Sequence, residues 1–198
     1  MTYAILADLL DRMAIPSTSD NLALTSRLTD ALDQATELIN DDTGRNFAQR
    51  AGVAKTFTTT DYYKLNLPDF TAITSVKVDD TDDGTFETTI ASSGYEPGKT
   101  NDGDDGWPYS SILLMDRCWP ANGRRTRRIE ITADWGWPAI PAGINKACTI
   151  LAARLGAREA SAVFGVQSFG DEGAGAYVRT NDPDYLHAIR RYVKPQVA

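Results

Sequence analysis

The sequence is poor in the residues that most often bind metal ions or transfer protons. It contains a single histidine, His187, so a site built from several histidines is excluded and a catalytic triad would have to use this one. Its two cysteines, Cys118 and Cys148, lack the spacing of a zinc site, and we expect two free thiols in a reducing compartment. His187 falls in a helical pattern, where we expect a surface or helix-end residue.

Long hydrophobic runs are also missing. No stretch approaches the roughly 20 apolar residues that a bilayer-spanning helix requires, so we expect no membrane association. The apolar residues near the start are interrupted by Asp8, Asp11 and Arg12, and we therefore expect no signal peptide. Hydrophobic residues make up 42% and charged residues 24% of the chain, as in ordinary globular domains.

An excess of positive charge is absent, since the net charge is −7 at pH 7. Proteins that grip DNA by neutralising phosphates normally carry a basic surface, so this charge argues against general DNA binding. It does not exclude a protein that surrounds DNA and lets it slide.

Motifs of nucleophilic and nucleotide chemistry are not present. The segment 165–170 resembles a nucleophile elbow, but Ser168 lies one position too late, and there is no phosphate-binding Walker loop. Residues 173–175 match part of a dinucleotide fingerprint, but Val178 occupies the third glycine position. Nothing in the sequence therefore anchors an enzymatic function.

Acidic turns invite a test for calcium. In an EF-hand loop that began at Asp79, Thr81 and Ile90 would occupy ligand positions, which neither side chain suits. A loop that began at Asp102 would place Gly106 at the fifth position. Solvated hairpin turns are the favoured interpretation, with an adventitious cation as the alternative, and we predict no metal and no cofactor.

Helical periodicity appears at both ends of the chain. A short helix is predicted over residues 2–14, and an amphipathic helix over residues 21–43, with Ser19 or Asp20 as its cap and Gly44 at its end. A long helix is predicted within residues 136–164, and Pro141 suits its first turn. A last helix over residues 182–194 begins with Asp182 as cap and Pro183 in its first turn. The glycine-rich segment 165–179 between the last two is predicted to be a flexible loop.

The middle of the chain is predicted to form strands. Residues 53–135 contain short β-branched and aromatic segments separated by turns rich in Asp, Gly and Pro. The predicted strands are residues 56–60, 62–67, 73–78, 86–90, 111–115 and 128–133. The fold class is therefore α+β, a small helical bundle in a single domain with an antiparallel β region inserted between the second and third main helices.

Two residue groups in the β region admit two interpretations each. The four tryptophans are either core residues or an exposed surface for sugars or a partner; they are Trp107, Trp119, Trp135 and Trp137. A basic group is either a solvated hairpin or an inter-subunit ion-pairing site for an acidic neighbouring subunit, which this acidic chain could itself provide. Its members are Arg124, Arg125, Arg127 and Arg128.

Three segments, in order along the chain, resemble the head–tail connector (head-to-tail adaptor) proteins of long-tailed double-stranded-DNA bacteriophages. Ala31 to Ile39 followed by Asp42-Thr43-Gly44-Arg45-Asn46-Phe47 resembles that family's "A…I…TGR-x-F" pattern. Residues 129–137 and 140–147 resemble its strand, aromatic-glycine turn and long helix. Residues 169–172 and 182–184 resemble its loop and closing "DP" helix, while the long acidic β region departs from the pattern.

The resemblance implies a structural virion protein of the phage neck that is not an enzyme. It implies a homo-oligomeric ring, typically a dodecamer, beneath the portal protein and next to a head-closure or tail-side neck protein. DNA would pass through the lumen without sequence-specific binding. Assembly would take place in the cytoplasm of the host bacterium. The family's loop and last helix engage the portal or a neighbouring subunit, which here corresponds to Gly165, Phe169, Gly170, Tyr177, Leu186, Ile189 and Val193.

The sequence is also compatible with other functions. The chain could be another neck protein that serves head closure or tail completion. It could also be a carbohydrate-binding module that uses the tryptophans, whereas an enzyme has no candidate residues.

Overall fold

The computed structural model describes residues 1–16, 22–99, 106–120, 127–161, 166–168, 175–177 and 182–194. These residues form a mixed α+β structure, and the chain divides into two compact units. The helical unit comprises residues 1–45 and 140–198, and the β unit comprises residues 46–139. No helix among the described residues is long and apolar enough to cross a membrane.

The helical unit contains four α-helices among its described residues. They are α1 (Leu6–Arg12), α2 (Leu22–Thr43), α3 (Ala142–Ser161) and α4 (Pro183–Ile189), and a short 3-10 helix (Arg190–Tyr192) follows α4. The buried face of α2 recurs at spacings of three and four residues, as its sequence predicts. That face packs against α3, where the Thr36 hydroxyl lies 3.7 Å from the Cys148 sulfur. Gly156 allows close approach, since a Cβ there would lie 2.9 Å from Leu28.

The first two helices differ in how well the sequence predicted them. Helix α1 covers Leu6–Arg12 and is shorter than the predicted 2–14. The backbone of Tyr3 is instead hydrogen-bonded to side chains of other helices, because its N–H donates to Thr36 Oγ1 and its carbonyl accepts from Asn145 Nδ2. The second matches the prediction from residue 22 onward, and the candidate caps Ser19 and Asp20 lie outside the described residues. Gly44 ends α2 with a φ of 64°, as predicted.

The helix predicted within 136–164 begins later. Gly136 has a φ of 95° and donates its N–H to the Asp69 carbonyl at 2.7 Å, so it belongs to the β unit. The helix starts only after Pro141, whose carbonyl accepts the N–H of Asn145 at 3.0 Å. It runs to Ser161, and residues 162–164 lie outside the described part.

The predicted loop 165–179 contains two short strands instead of being entirely irregular. They are β7 (Val166–Ser168) and β8 (Gly175–Tyr177), which form an antiparallel pair in which Val166 faces Tyr177. The glycine content suggested a loop, but the segments that flank the glycines include residues with high strand propensity.

The last helix matches its predicted start. The Asp182 side chain accepts the N–H of Asp184 at 2.8 Å, and Pro183 occupies the first turn. The α-helix ends at Ile189 rather than continuing to residue 194, and the 3-10 helix and two extended residues complete the segment.

The β unit is an antiparallel sheet of β1 (Arg50–Phe57), β2 (Lys64–Val78), β3 (Thr88–Ile90), β4 (Tyr95–Lys99), β5 (Tyr109–Leu114) and β6 (Ile129–Trp135). Its order is β1-β6-β2-β5-β4, and β3 pairs with the far end of β2. In β6, buried residues alternate with half-buried ones, as expected for a strand with one face on a core.

Three details of the sheet differ from the prediction. Strand β1 covers Arg50–Phe57 and shares only two residues with the predicted strand 56–60. The predicted strands 62–67 and 73–78 form one long strand, β2, whose register with its neighbours shifts near Phe70. Strand β4 was not predicted, because Pro97 and Gly98 give it the composition of a turn. It lies at an edge of the sheet, where a proline is tolerated.

The four tryptophans are buried, so the core interpretation is confirmed and the exposed sugar-binding surface is wrong. Three indole N–H groups donate within the β unit: Trp119 to the Tyr63 carbonyl, Trp135 to the Val53 carbonyl and Trp137 to Asp69 Oδ2. The rings of Trp107 and Trp137 lie 4.8 Å apart.

Candidate functional site

The C-terminal segment, defined here as residues 182–194, is integrated into the helical unit. Tyr185, Ile189 and Tyr192 are buried, Ile189 with only 3% of its surface exposed. Ile189 was predicted to be a partner-binding residue. In the structure it belongs to the chain's own core, because the segment lays its apolar face against the other helices.

The Thr43-Gly44-Arg45 motif binds the end of this segment. The left-handed backbone of Gly44 turns the chain at the end of α2, and the Thr43 carbonyl accepts the N–H of Lys194 at 2.8 Å. Arg45, 6% exposed, donates from Nε to the carbonyl of Tyr192 at 2.7 Å. The motif therefore fixes where the C-terminal segment lies on α2.

Polar contacts hold the beginning of the segment. The Tyr185 hydroxyl donates to Asp42 Oδ2 at 2.6 Å, and Arg154 Nη2 lies 2.7 Å from Asp182 Oδ2. Burial, together with the hydrogen bond to Asp42, raises the pKa of Tyr185 above its usual range, so the phenol stays protonated at neutral pH.

Close backbone packing completes the attachment. A Cβ at Gly143 would lie 3.2 Å from the Tyr192 ring and 3.4 Å from the Ala188 carbonyl. The glycine at the start of α3 thus lets the C-terminal segment approach closely.

Two apolar side chains of the segment point to solvent. Leu186 is 42% and Val193 44% exposed, and both were predicted to bind a partner. His187 is exposed near the end of α4, as predicted. Leu186 and Val193 are together called the docking surface here, after the role predicted for them.

The remaining residues predicted to bind a partner lie before the C-terminal segment. Gly165, Phe169 and Gly170 lie outside the described residues. Tyr177 ends β8, and its backbone pairs with Val166.

The four arginines do not form one described surface. Arg124 and Arg125 lie outside the described residues, and Arg127 is exposed with its N–H on Thr58 Oγ1 at 2.7 Å. Arg128 is buried, and its guanidinium donates to the carbonyls of Asp79 and Asp80 at 2.9 and 3.0 Å. The side chain predicted to pair with another subunit thus already stabilises a turn of its own chain.

That turn is also where carboxylates gather. Oxygens of Asp79, Asp83 and Glu87 lie within 4.8 Å of one another. Asp79 accepts backbone N–H groups from Asp82 and Gly84 at 2.6 and 2.9 Å. These bonds are typical of an acidic side chain that organises a turn, in agreement with the interpretation from sequence.

The thiols are free, as predicted, but their environments differ. Cys118 is exposed in the β unit, whereas Cys148 is buried between α2 and α3. Burial raises the pKa of the Cys148 thiol, so it acts as a small apolar core residue and not as a nucleophile.

Sequence reasoning missed two features. It did not predict that Arg45 contacts the C-terminal segment, although the motif that contains Arg45 was the signal that led to a family. It also missed a group of exposed apolar side chains in the β unit, Tyr62, Tyr63, Leu113 and Met115, for which the sequence offered no signal.

Solved structures share this fold. The chain is similar to one in the neck of an empty gene transfer agent particle computed with C6 symmetry, at 21% identity and TM-score 0.63, over 97% of this chain and 90% of that chain. It is similar to one in the neck of the native particle computed with C12 symmetry, at 20% identity and TM-score 0.56, over 97% and 89%.

A third similar chain comes from the virion of the native gene transfer agent particle, at 20% identity and TM-score 0.52, over 97% of this chain and 90% of that chain. No protein-family model matches the chain, and no curated protein matches it. At these identities the likeness shows a common fold.

Proposed function

We propose that this protein is a structural, non-enzymatic head-to-tail adaptor in the neck of a bacteriophage or phage-like particle. The observation that carries the proposal is the fold shared with neck chains over 97% of this chain. The order of the three sequence segments that resemble connector proteins points to the same role independently.

The proposed architecture is a small helical bundle with the β region inserted between its second and third main helices. The composition of the helical unit supports this, since residues 1–45 and 140–198 together form one compact unit. The proposed assembly is a homo-oligomeric ring of twelve copies beneath the portal. The C6 and C12 symmetries of the similar necks support a cyclic arrangement.

In this role DNA passes through the lumen of the ring without sequence-specific binding. The net charge of −7 supports transit over binding, because a basic lining would retain phosphates. The chain would be a virion component, assembled in the cytoplasm of the host bacterium between the portal and a head-closure or tail-side neck protein.

The docking surface is the proposed contact with the portal. Leu186 and Val193 are exposed apolar side chains on a segment whose other face is fixed by Arg45, Tyr185 and Tyr192. A rigid apolar surface loses little conformational entropy on binding, which favours affinity. The segment would therefore dock as a preformed element and not as a loose tail.

A double variant tests this assignment. Leu186→Asp with Val193→Asp leaves the buried contacts in place, and we expect portal binding to weaken by about 100-fold, since each central apolar side chain contributes on the order of 1–2 kcal/mol. The measurement is the dissociation constant for purified portal, and electron microscopy of the mixture then reports whether a twelvefold ring forms.

The matched control is Ile5→Asp with Leu22→Asp, two apolar residues of the same unit that are even more exposed. We expect this control to bind portal normally. Equal loss in both variants, or normal binding by the docking variant, would contradict the docking assignment. A portal mixture without rings would contradict the adaptor role.

A further inference from the structure

Strand β1 is unlike the other long strands of the β unit. None of its eight residues is buried, whereas β6 beside it buries every second residue. Ala51, Val53 and Ala54 are all exposed, Val53 to 38%. Its register with β6 is regular from Val53 to Phe57, and it pairs with no second strand among the described residues. An exposed apolar edge of this kind is a common site of association.

A second exposed apolar surface lies where β2 begins and β5 ends. We call it the corner patch: Tyr62, Tyr63, Leu113 and Met115, which are between 42% and 56% exposed. Leu113 pairs with Lys64 and lies on the outer face of the sheet, since its neighbours Ile112 and Leu114 are buried.

The rest of that outer face is polar. Lys77 and Glu130 form an ion pair of 3.6 Å across β2 and β6, and Asn66 pairs with Ser111 across β2 and β5. The corner patch is therefore an apolar area on a surface otherwise built for water, which marks it as an interaction site.

Strand β1 is not a hydrogen-bonded neighbour of β5, because β6 and β2 lie between them in the sheet. A contact between β1 of one copy and the corner patch of another would join the two copies head to tail. Such a contact leaves one β1 and one corner patch unused at the ends of any open chain, and repetition closes a ring when the rotation allows it.

The charges of the two surfaces are complementary. Strand β1 carries Arg50 and Lys55 and no acidic residue. The corner patch is flanked by three exposed carboxylates, Asp61, Glu96 and Asp116. Lys64 adjoins the patch through its pairing with Leu113, and the nearby Arg117 is already paired with Asp80 at 2.5 Å. Opposite charges around an apolar contact favour one register over others.

The charged groups are suitably held for this contact. Backbone N–H groups of Lys64 and Tyr63 lower the pKa of Asp61, which keeps its carboxylate ionised. The Lys55 ammonium lies 4.6 Å from the centroid of the Trp135 ring, and burial, together with the nearby Arg50, lowers the pKa of Lys55.

We propose that β1 of one copy docks on the corner patch of the next copy, so that the β units form the head-to-tail contact of the ring. This inference rests on the proposed function for its cyclic assembly. It adds the surfaces that touch, the residues that carry them and the direction of the contact.

Cysteine cross-linking tests the contact in the full-length chain. Cys118 is exposed and adjoins the corner patch, because the next residue, Trp119, donates its N–H to the Tyr62 carbonyl at 2.7 Å. A Val53→Cys variant would then carry one thiol on each surface. Under mild oxidation at high protein concentration, we expect a ladder of dimers, trimers and higher species on denaturing gels.

Controls separate this contact from random collisions. Val53→Cys combined with Cys118→Ser should give no ladder. Thr89→Cys places an exposed thiol on β3, at the opposite end of β2 from Tyr62, and should not link to Cys118. Only dimers from Val53→Cys, no cross-links, or an equal ladder from Thr89→Cys would overturn the proposal.

A charge reversal provides a second measurement. Lys55→Glu in the Val53→Cys background should slow ladder formation by about fivefold, as expected for one partly exposed ion pair. Adding Glu96→Lys should restore part of the rate, and no difference between the three rates would contradict the charge pairing.

The outcomes also separate this contact from the adaptor role. Twelvefold rings on the portal without a 53–118 ladder would refute the contact and leave the adaptor role intact. A ladder from a protein that never forms rings on portal would support the contact and refute the adaptor role.

Discussion

Strand β1 and the C-terminal segment are two peripheral elements that differ in what they bury. The C-terminal segment buries Tyr185, Ile189 and Tyr192, whereas β1 buries none of its eight residues. The first is needed to complete the core of the helical unit. The second contributes only the partly buried Phe57 to the core of the β unit, and most of its other residues are exposed. Position at the periphery therefore does not by itself identify a docking element, and burial separates the two cases.

The largest expected effect comes from removing the C-terminal segment. Deleting residues 183–198 removes three large buried side chains, each of which stabilises a fold by about 2–5 kcal/mol. Since whole domains are stable by only about 5–15 kcal/mol, we expect the helical unit to unfold or nearly so. Hydrogen exchange measured residue by residue should show loss of protection in α2 and α3.

Protection in β6 and β2 provides the comparison within the same sample. If α2 and α3 kept their protection after the deletion, the segment would be an accessory tail, and the distinction from β1 would fail. Because the deletion damages the core, it cannot serve as a clean test of portal docking.

Arg45→Met is expected to have the next largest effect. The substitution keeps much of the side-chain volume but leaves the buried Tyr192 carbonyl without the guanidinium. An unsatisfied buried polar group costs about 1–3 kcal/mol, which we expect to appear in chemical denaturation of the full chain. Arg27→Met, at an exposed position on α2, should change stability by less than about 0.5 kcal/mol. Equal effects would mean that the motif does not fix the segment.

Tyr185→Phe removes one hydrogen bond and, with it, one source of the pH dependence of the free energy of unfolding. The loss of the bond to Asp42 should cost about 1 kcal/mol at neutral pH. Because the folded state raises the pKa of the phenol, its stabilising effect is complete below the ordinary tyrosine pKa of about 10. The effect should be lost as the pH rises through the folded pKa.

Chemical denaturation of the natural chain and of the Tyr185→Phe variant at pH 7 and pH 11 measures this pH dependence. The stability difference between the natural chain and Tyr185→Phe should shrink at the higher pH. A constant difference would show that Tyr185 and Asp42 do not interact through the phenolic proton.

The same contrast explains what the sequence could predict. Helix α2 and strand β6 follow from periodicity, since each has one face on a core. Strand β4 does not, because its strand character comes from pairing with β5 while Pro97 and Gly98 indicate a turn. The start of α3 next to Pro141 could be predicted, but the close approach of Gly136 to Ala48 could not, because it depends on contacts within the β unit.

The docking surface was predictable only in part. A helical stripe suggested Leu186, Ile189 and Val193 together, but periodicity cannot tell which of them faces the rest of the chain. The orientation of the segment depends on contacts such as the hydrogen bond from Arg45 to Tyr192, which are 147 residues apart in the sequence. The corner patch was beyond prediction for a similar reason, since the pairing of Lys64 with Leu113 brings together residues from distant segments.

The smallest expected effect on stability comes from Val53→Asp in β1. The side chain is exposed at the edge of the sheet, so replacing it should change the free energy of unfolding by no more than about 0.5–1 kcal/mol. Association between copies should nevertheless fall strongly, because the carboxylate would face the acidic rim of the corner patch. Thermal unfolding and sedimentation velocity on the same sample separate the two effects. A large loss of stability would mean that β1 supports its own fold as the C-terminal segment does, and would remove the distinction between the two elements.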